Sequence, residues 1–211
     1  CFITTDLTGS QLATFNPGAM NRAHEQSFPE KENITFALVG PDGRQAMINR
    51  VNECVAHKIP FIFDIGQGVS LFNGDEIRDF IHKADYVAAS AYEMELIERA
   101  TGLNAEALAG CVKALIVTHG ASGSTVYAQG KVLTVPAVRV DNDLDPVGAG
   151  DAYRGGLLFG LSEGWDWEKT LRIASVVASF KVQSKGAQNY KPSKEEIAAR
   201  FEQAYGEKLE F

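Results

Sequence analysis

Long apolar runs are missing from this 211-residue chain. No stretch approaches the ~20 consecutive apolar residues that a membrane helix needs, and no basic, then apolar, then small-residue leader opens the chain. The expectation is a cytoplasmic protein with no membrane partner. Cysteine is scarce as well: Cys1, Cys54 and Cys111 make an odd number at wide spacings, which fits neither a zinc site nor a disulfide framework. A reducing compartment follows, with Cys54 and Cys111 expected as small buried hydrophobes. Positive charge is in deficit. A formal net charge of -7 opposes a broad nucleic-acid surface, although a local phosphate pocket built from backbone amides escapes that count. The histidines His24, His57, His82 and His119 show no metal-ligand spacing. The Lys-Ser/Thr ending of a P-loop is absent, as is the glycine spacing of a dinucleotide fingerprint, so the oxidoreductase that alternating strands and helices could suggest has no support.

What is present is an ordinary globular composition, 45% hydrophobic and 22% charged, without internal repeat or low-complexity linker. Phe2 to Thr5 and Leu12 to Phe15 flank Thr8-Gly9-Ser10 and predict a hairpin. From Asn33 onward the pattern is strand followed by helix. Ile34 to Val39, Pro60 to Ile65, Asp85 to Ala89 and Lys113 to Thr118 are apolar and β-prone. Between them, helices are predicted at Arg44 to His57, Gly74 to Ala84, Ala91 to Ala100 and Ala105 to Cys111. In the first of these, Ala46, Met47, Val51 and Val55 form the inward face; in the second, Ile77, Phe80 and Ile81 do. Such alternation implies a mainly parallel sheet covered on both faces, because parallel strands require crossovers. Ser124 to Tyr127 and Val132 to Val135, joined by Ala128-Gln-Gly-Lys131, add an antiparallel hairpin at one edge. Helices resume at Asp151 to Leu161, Glu168 to Gln183 and Lys194 to Ala204, the last opened by a capping box of Ser193 and Glu196.

The stretch that carries chemistry is Asp145-Pro-Val-Gly-Ala-Gly-Asp-Ala-Tyr-Arg-Gly-Gly-Leu157, a glycine-rich turn running into an apolar helix. Gly148 and Gly150 let the backbone approach a ligand, and the free amides of a first helical turn carry partial positive charge. That makes an anion site. A carboxylate in such a turn would repel phosphate if anion binding were its only role, so Asp151 fits a proton acceptor for a hydroxyl attacking a phosphoryl group. The bland alternative is that Asp151 caps the helix while Gly148, Gly150, Gly155 and Gly156 permit close packing.

This run resembles the C-terminal signature of the PfkB carbohydrate kinase family, which includes ribokinase and adenosine kinase. The resemblance implies a ribokinase-like α/β fold and the use of ATP and Mg²⁺. It also implies an anion hole at Gly148, Ala149 and Gly150 with Asp151 as catalytic base. Thr118-His-Gly-Ala-Ser-Gly123 is similar to the family's turn beside ATP, which makes Thr118, Gly120 and Gly123 expected nucleotide contacts. Gln188, in Gln188-Asn189-Tyr190, stands where it could border adenine. Ser90-Ala-Tyr-Glu93 occupies the place of the family's Asn-x-x-Glu, so Glu93 is expected to hold Mg²⁺ through water; Ser90 departs from the pattern and offers no amide donor. Asp145 matches an Asp that in several relatives helps arrange a monovalent-cation loop, which brings K⁺ into the expectation beside a plain loop anchor.

Resemblance covers Ile34 to the C-terminus, and residues 1–32 look like a partial lid on the substrate side of a core at 33–211. The chain opens in strand-like residues, not at Met, so a segment bearing the family's first strand and Gly-Gly element is expected upstream. Asn16-Pro-Gly-Ala-Met20 and Phe63-Asp-Ile-Gly-Gln-Gly68 look most like bacterial adenosine or sugar kinases. Asn16 and Met20 could approach the acceptor, or Pro17-Gly18 could be only a turn. Asp64 and Gln67 lie where parallel sheets place ligands. The expected activity is phosphorylation of a primary hydroxyl of a nucleoside or sugar, adenosine first. The alternatives are a ribokinase-type sugar kinase and a nucleotide-binding member without catalysis, and a homodimer is the one assembly in view.

Overall fold

A computed structural model describes residues 2–5, 11–28 and 33–211. Cys1, Asp6 and the predicted turn Thr8-Gly9-Ser10 lie outside the described residues. Strands β1 (Phe2–Thr5) and β2 (Gln11–Thr14) pair antiparallel in a small sheet of their own. Among the described residues the main sheet has six strands in chain order: β3 (Ala37–Val39), β4 (Phe61–Phe63), β5 (Tyr86–Ser90), β6 (Ala114–Thr118), β7 (Ser124–Ala128) and β8 (Lys131–Val135). β3 to β6 run parallel, whereas β7 and β8 are antiparallel at the edge, as the alternation and the hairpin signal predict. The two-residue turn of that hairpin, Gln129-Gly130, has positive φ at both positions (52° and 70°), the twist that matches its flanking strands.

Every parallel strand is buried on both faces, and consecutive residues serve opposite cores. Phe61 and Phe63, Val87 and Ala89, and Leu115 and Val117 face one core; Ile62, Ala88, Ala114 and Ile116 face the other. The first core is roofed by α1 (Arg44–His57), α2 (Gly74–Lys83), α3 (Ala91–Thr101) and α4 (Ala105–Ala109), through Met47, Val51, Ile77, Phe80, Ile81, Ile97 and Leu108. α5 (Ala149–Ser162) and α6 (Trp167–Val182) cover the second, and α7 (Lys194–Tyr205) packs outside them through Phe201.

The capping box predicted at Ser193 is present: Ser193 Oγ accepts from the Glu196 amide at 3.2 Å, and Glu196 Oε2 accepts from the Ser193 amide at 2.7 Å. Two expectations need correction. Val55 is 47% exposed and Cys54 takes its inward place, because the buried stripe of α1 runs through Met47, Val51 and Cys54. Burial pushes the Cys54 thiol up to about 11, the behaviour of a small hydrophobe. Cys111 is only half-buried, just beyond the end of α4. Short 3₁₀ segments at Gly18–Glu25, Gly66–Leu71 and Gly120–Ser122 stand where the sequence pattern predicts no element.

The approach of α5 to α6 is set by two glycines four residues apart. A Cβ on Gly156 would lie 2.6 Å from Ala174 Cα, and one on Gly160 would lie 2.8 Å from Thr170 Oγ1. Gly155, one residue earlier, faces open space. Gly156→Ala therefore overpacks a backbone contact and is expected to lower stability by about 1–3 kcal/mol in urea unfolding. Gly155→Ala is expected to raise it by roughly 0.5–1 kcal/mol, because an exposed helical position gains propensity at no steric cost.

Candidate active site

The carboxyl ends of β4, β5 and β6 carry Asp64, Ser90 and Thr118, and α5 brings its first turns over that edge. Parallel sheets bind ligands along this edge. Two side chains of α5 hold it there. Tyr153 donates its hydroxyl hydrogen to Ser124 Oγ at 2.6 Å, at the start of β7, and burial keeps the phenol protonated. Arg154 is buried; its Nε forms an ion pair with Asp64, and its Nη2 lies 3.8 Å from Glu93 Oε2. One guanidinium thus joins α5 to the end of β4 and the start of α3.

Gly148 starts the helix at φ +88°, a left-handed conformation that glycine adopts without strain. A Cβ there would also meet Ala187 O at 2.9 Å, so the turn after α6 seats directly against it. The Ala149 amide donates to Pro146 O at 3.0 Å, and the helical ladder begins with the Ala152 amide and Gly148 O at 3.0 Å. This leaves Gly150 and Asp151 as first-turn amides without an intrahelical carbonyl. Both residues are exposed. Asp151 therefore projects a solvent-accessible carboxylate beside two outward donors, the juxtaposition proton abstraction from an attacking hydroxyl would use.

The other expected site residues divide into groups. Gly120 (φ +57°) is exposed with open space around its Cα, and the tight loop from His119 to Gly123 follows Thr118. Gly123 has a structural reason of its own, since a Cβ would fall 2.1 Å from Val135 O. Gln188 is exposed in the turn after α6, next to the Ala187 that meets Gly148. Tyr190, two residues on, has its phenol pKa raised by burial and then by the charge of Asp151, which brings this segment to the same turn. Glu93 Oε2 accepts from the Ser90 amide at 2.6 Å and Ser90 Oγ accepts from the Glu93 amide at 3.2 Å, a capping box for α3. Asp145 anchors two loops: Oδ1 accepts from Val147 at 2.9 Å and Oδ2 from Gly186 at 2.8 Å, and these bonds hold its carboxyl below the usual range. Asn16 Oδ1 accepts from the Gly18 amide at 3.1 Å, closing a turn, and the 3₁₀ segment bearing Met20 packs on α1 through Asn49 and His24 O. Gln67 is exposed.

Arg154 is the residue that sequence analysis misses. Its signal is a lone basic residue on the apolar side of a helix, with Asp64 and Glu93 each just past a strand's carboxyl end. Burial pushes the Asp64 carboxyl up to about 6; Arg154 pulls against it, while the charge of Glu93 pushes the same way. Among the described residues no group of three or more His, Cys, Asp or Glu side chains is gathered as a metal cage. No helix among them is long and apolar enough to cross a membrane. A groove of about 600 Å³ runs between Pro136–Asp141 and α7 and does not include Asp151.

A family model described as pfkB family carbohydrate kinase matches residues 1–194. The solved structure of a nucleoside kinase from Burkholderia thailandensis in complex with inosine is 42% identical, with a TM-score of 0.95 over 98% of this chain and 68% of that one. The same protein in complex with ADP-inosine aligns with a TM-score of 0.94 at 43% identity, covering 98% of this chain and 65% of that one. A nucleoside kinase from Methanocaldococcus jannaschii is 27% identical over 201 residues, which is 95% of this chain. The chain spans 66% of the length of that curated relative.

Two outcomes follow from the buried ion cluster. Arg154→Met leaves Asp64 and Glu93 without their cation and is expected to cost about 3–5 kcal/mol in urea unfolding, with part of the loss recovered in the Arg154→Met, Asp64→Asn double variant. Because the folded pKa of Asp64 lies above its unfolded value, its favourable contribution is complete below about pH 4 and is lost as pH rises through about 6. Melting temperatures measured across that window should therefore climb less, or fall more, with pH in the wild type than in Asp64→Asn.

Proposed function

We propose, from the premise that the chain belongs to the pfkB family of carbohydrate kinases, that it works in phosphoryl transfer from ATP to a primary hydroxyl of a purine nucleoside. The observation that carries this reading is the open Asp151 carboxylate beside the outward amides of Gly150 and Asp151, on a helix pinned over the carboxyl edge of a parallel sheet. The carboxylate takes the hydroxyl proton as the oxygen attacks, and the amides meet the charge on the transferring phosphoryl oxygens. Because the transition state is loose, positioning and charge stabilisation supply most of the acceleration. Thr118, Gly120 and Gly123 border the nucleotide, with Gln188 on the side of the base; Asn16 and Met20 face the acceptor.

The acceptor class rests on likeness to the Burkholderia thailandensis protein that holds inosine and ADP-inosine. Adenosine differs from inosine only on the base, away from the reacting hydroxyl, and is the second acceptor to test. Mg²⁺, when bound, would neutralise phosphate charge and is held mostly by water and phosphate, so one or two protein carboxylates suffice. Glu93 suits that role, since its Oε2 is committed to the Ser90 amide and Oε1 is left for a water of the ion.

Asp151→Asn is expected to lower turnover by about 10²- to 10⁴-fold, the range of a lost general base, while ATP affinity changes little. Nucleoside-dependent ADP release, measured with inosine, adenosine and ribose, tests both parts. Near-normal turnover in the variant would remove Asp151 as the base. Ribose outpacing both nucleosides would replace the acceptor.

A further inference from the structure

α6 carries near its end a lysine whose ammonium meets carbonyls instead of a carboxylate. Lys181 is 0% exposed, which is rare for this side chain, and a buried ammonium must find acceptors to offset its lost hydration. Nζ donates to Asp145 O at 2.6 Å and to Ser184 O at 3.1 Å. These carbonyls belong to two different segments, the stretch leading into the Gly148 turn and the turn leaving α6. The same two segments are tied again by Asp145 Oδ2 with the Gly186 amide, and by the Leu144 and Asp145 amides with Val182 O. Ala187, next along, closes on Gly148. The carbonyl end of α6 adds partial negative charge to the same spot. The ammonium therefore sits in a nest of oxygens at the joint that sets where α5 begins.

A nest of backbone carbonyls at this joint is also what a monovalent cation beside Asp145 would require. K⁺ and the Lys181 ammonium carry the same charge and seek the same oxygens, so they compete for one place. We propose that Lys181 is a built-in substitute for a monovalent cation, and that the loop around Asp145 holds the Gly148 turn in shape without K⁺. A tethered ammonium has a high effective concentration at its site and does not exchange with the salt outside. Lys181 touches no reacting atom; it is a positioning residue that acts through Asp145 and the turn.

The test compares wild type, Lys181→Ala and Lys181→Met in buffers of K⁺, NH₄⁺ or tetramethylammonium at one ionic strength, reading melting temperature and ADP affinity. Wild type should be the same in all three. Lys181→Ala opens the nest, and in tetramethylammonium it should melt lower and bind ADP about tenfold more weakly, the scale of one lost charged hydrogen bond. K⁺ or NH₄⁺ should restore both in a saturable way. Lys181→Met fills the space with apolar atoms and should be destabilised without rescue by any ion. The idea is overturned if K⁺ stabilises the wild type over tetramethylammonium, if no ion restores Lys181→Ala, or if that variant stays unfolded in all three. The melting arm is independent of phosphoryl transfer, whereas the ADP arm rests on that reading. Ion-rescued melting with no ADP binding even in wild type would sink the nucleotide reading and leave Lys181 standing.

Discussion

The guanidinium of Arg154, buried between Asp64 and Glu93, decides where the first turns of α5 stand relative to the sheet. A helix N-terminus alone is only a weak attraction for anions, worth a fraction of a kcal/mol to about 2 kcal/mol. It becomes a reaction site when its place relative to other groups is fixed to within a fraction of an ångström. Here the fixing comes from three directions: the ion cluster on one side, Tyr153 and Ser124 on another, and the turn after α6 against Gly148. A carboxylate presented from so restrained a turn has little freedom left to lose on binding.

The charge balance of the site follows from this arrangement. The chain is acidic overall, yet among the described residues Arg154 and Lys181 are cations buried by the fold, and its own groups engage both. Arg154 meets carboxylates and Lys181 meets carbonyls. The outward donors at the Gly148 turn are backbone amides, whose geometry is set in advance by the fold.

Much of the architecture is legible in the amino-acid order because each parallel strand is short, apolar and flanked by turn residues, and helices such as α1 and α2 have a clear buried stripe. α1 and the Ser193 cap fall where periodicity and capping chemistry put them. Val55 and Cys54 exchange places because a one-residue error in phase turns a helix by about 100° and leaves the pattern looking equally apolar. The 3₁₀ segments are illegible because a run of one or two turns has no period to detect. Arg154 and Lys181 hide for another reason: on a helix a basic residue reads as solvated, and only the pairing of distant segments reveals it as internal. Asp151 is legible through a motif rather than through spacing, and its exposure at the first turn of α5 is a property of the fold.

The order of the main sheet matters for how the molecule comes into being. Each strand from β4 to β8 lies beside the one made just before it, so a growing chain can lay them down in succession with few long loops to close. The helix that completes the site emerges only after all six. Until it docks, Asp64 and Glu93 have no counter-ion and remain hydrated or protonated at the open rim of the sheet. A nascent chain that stops short of α5 would thus hold a sheet whose rim stays wet, and the arrival of α5 dries that rim with an arginine.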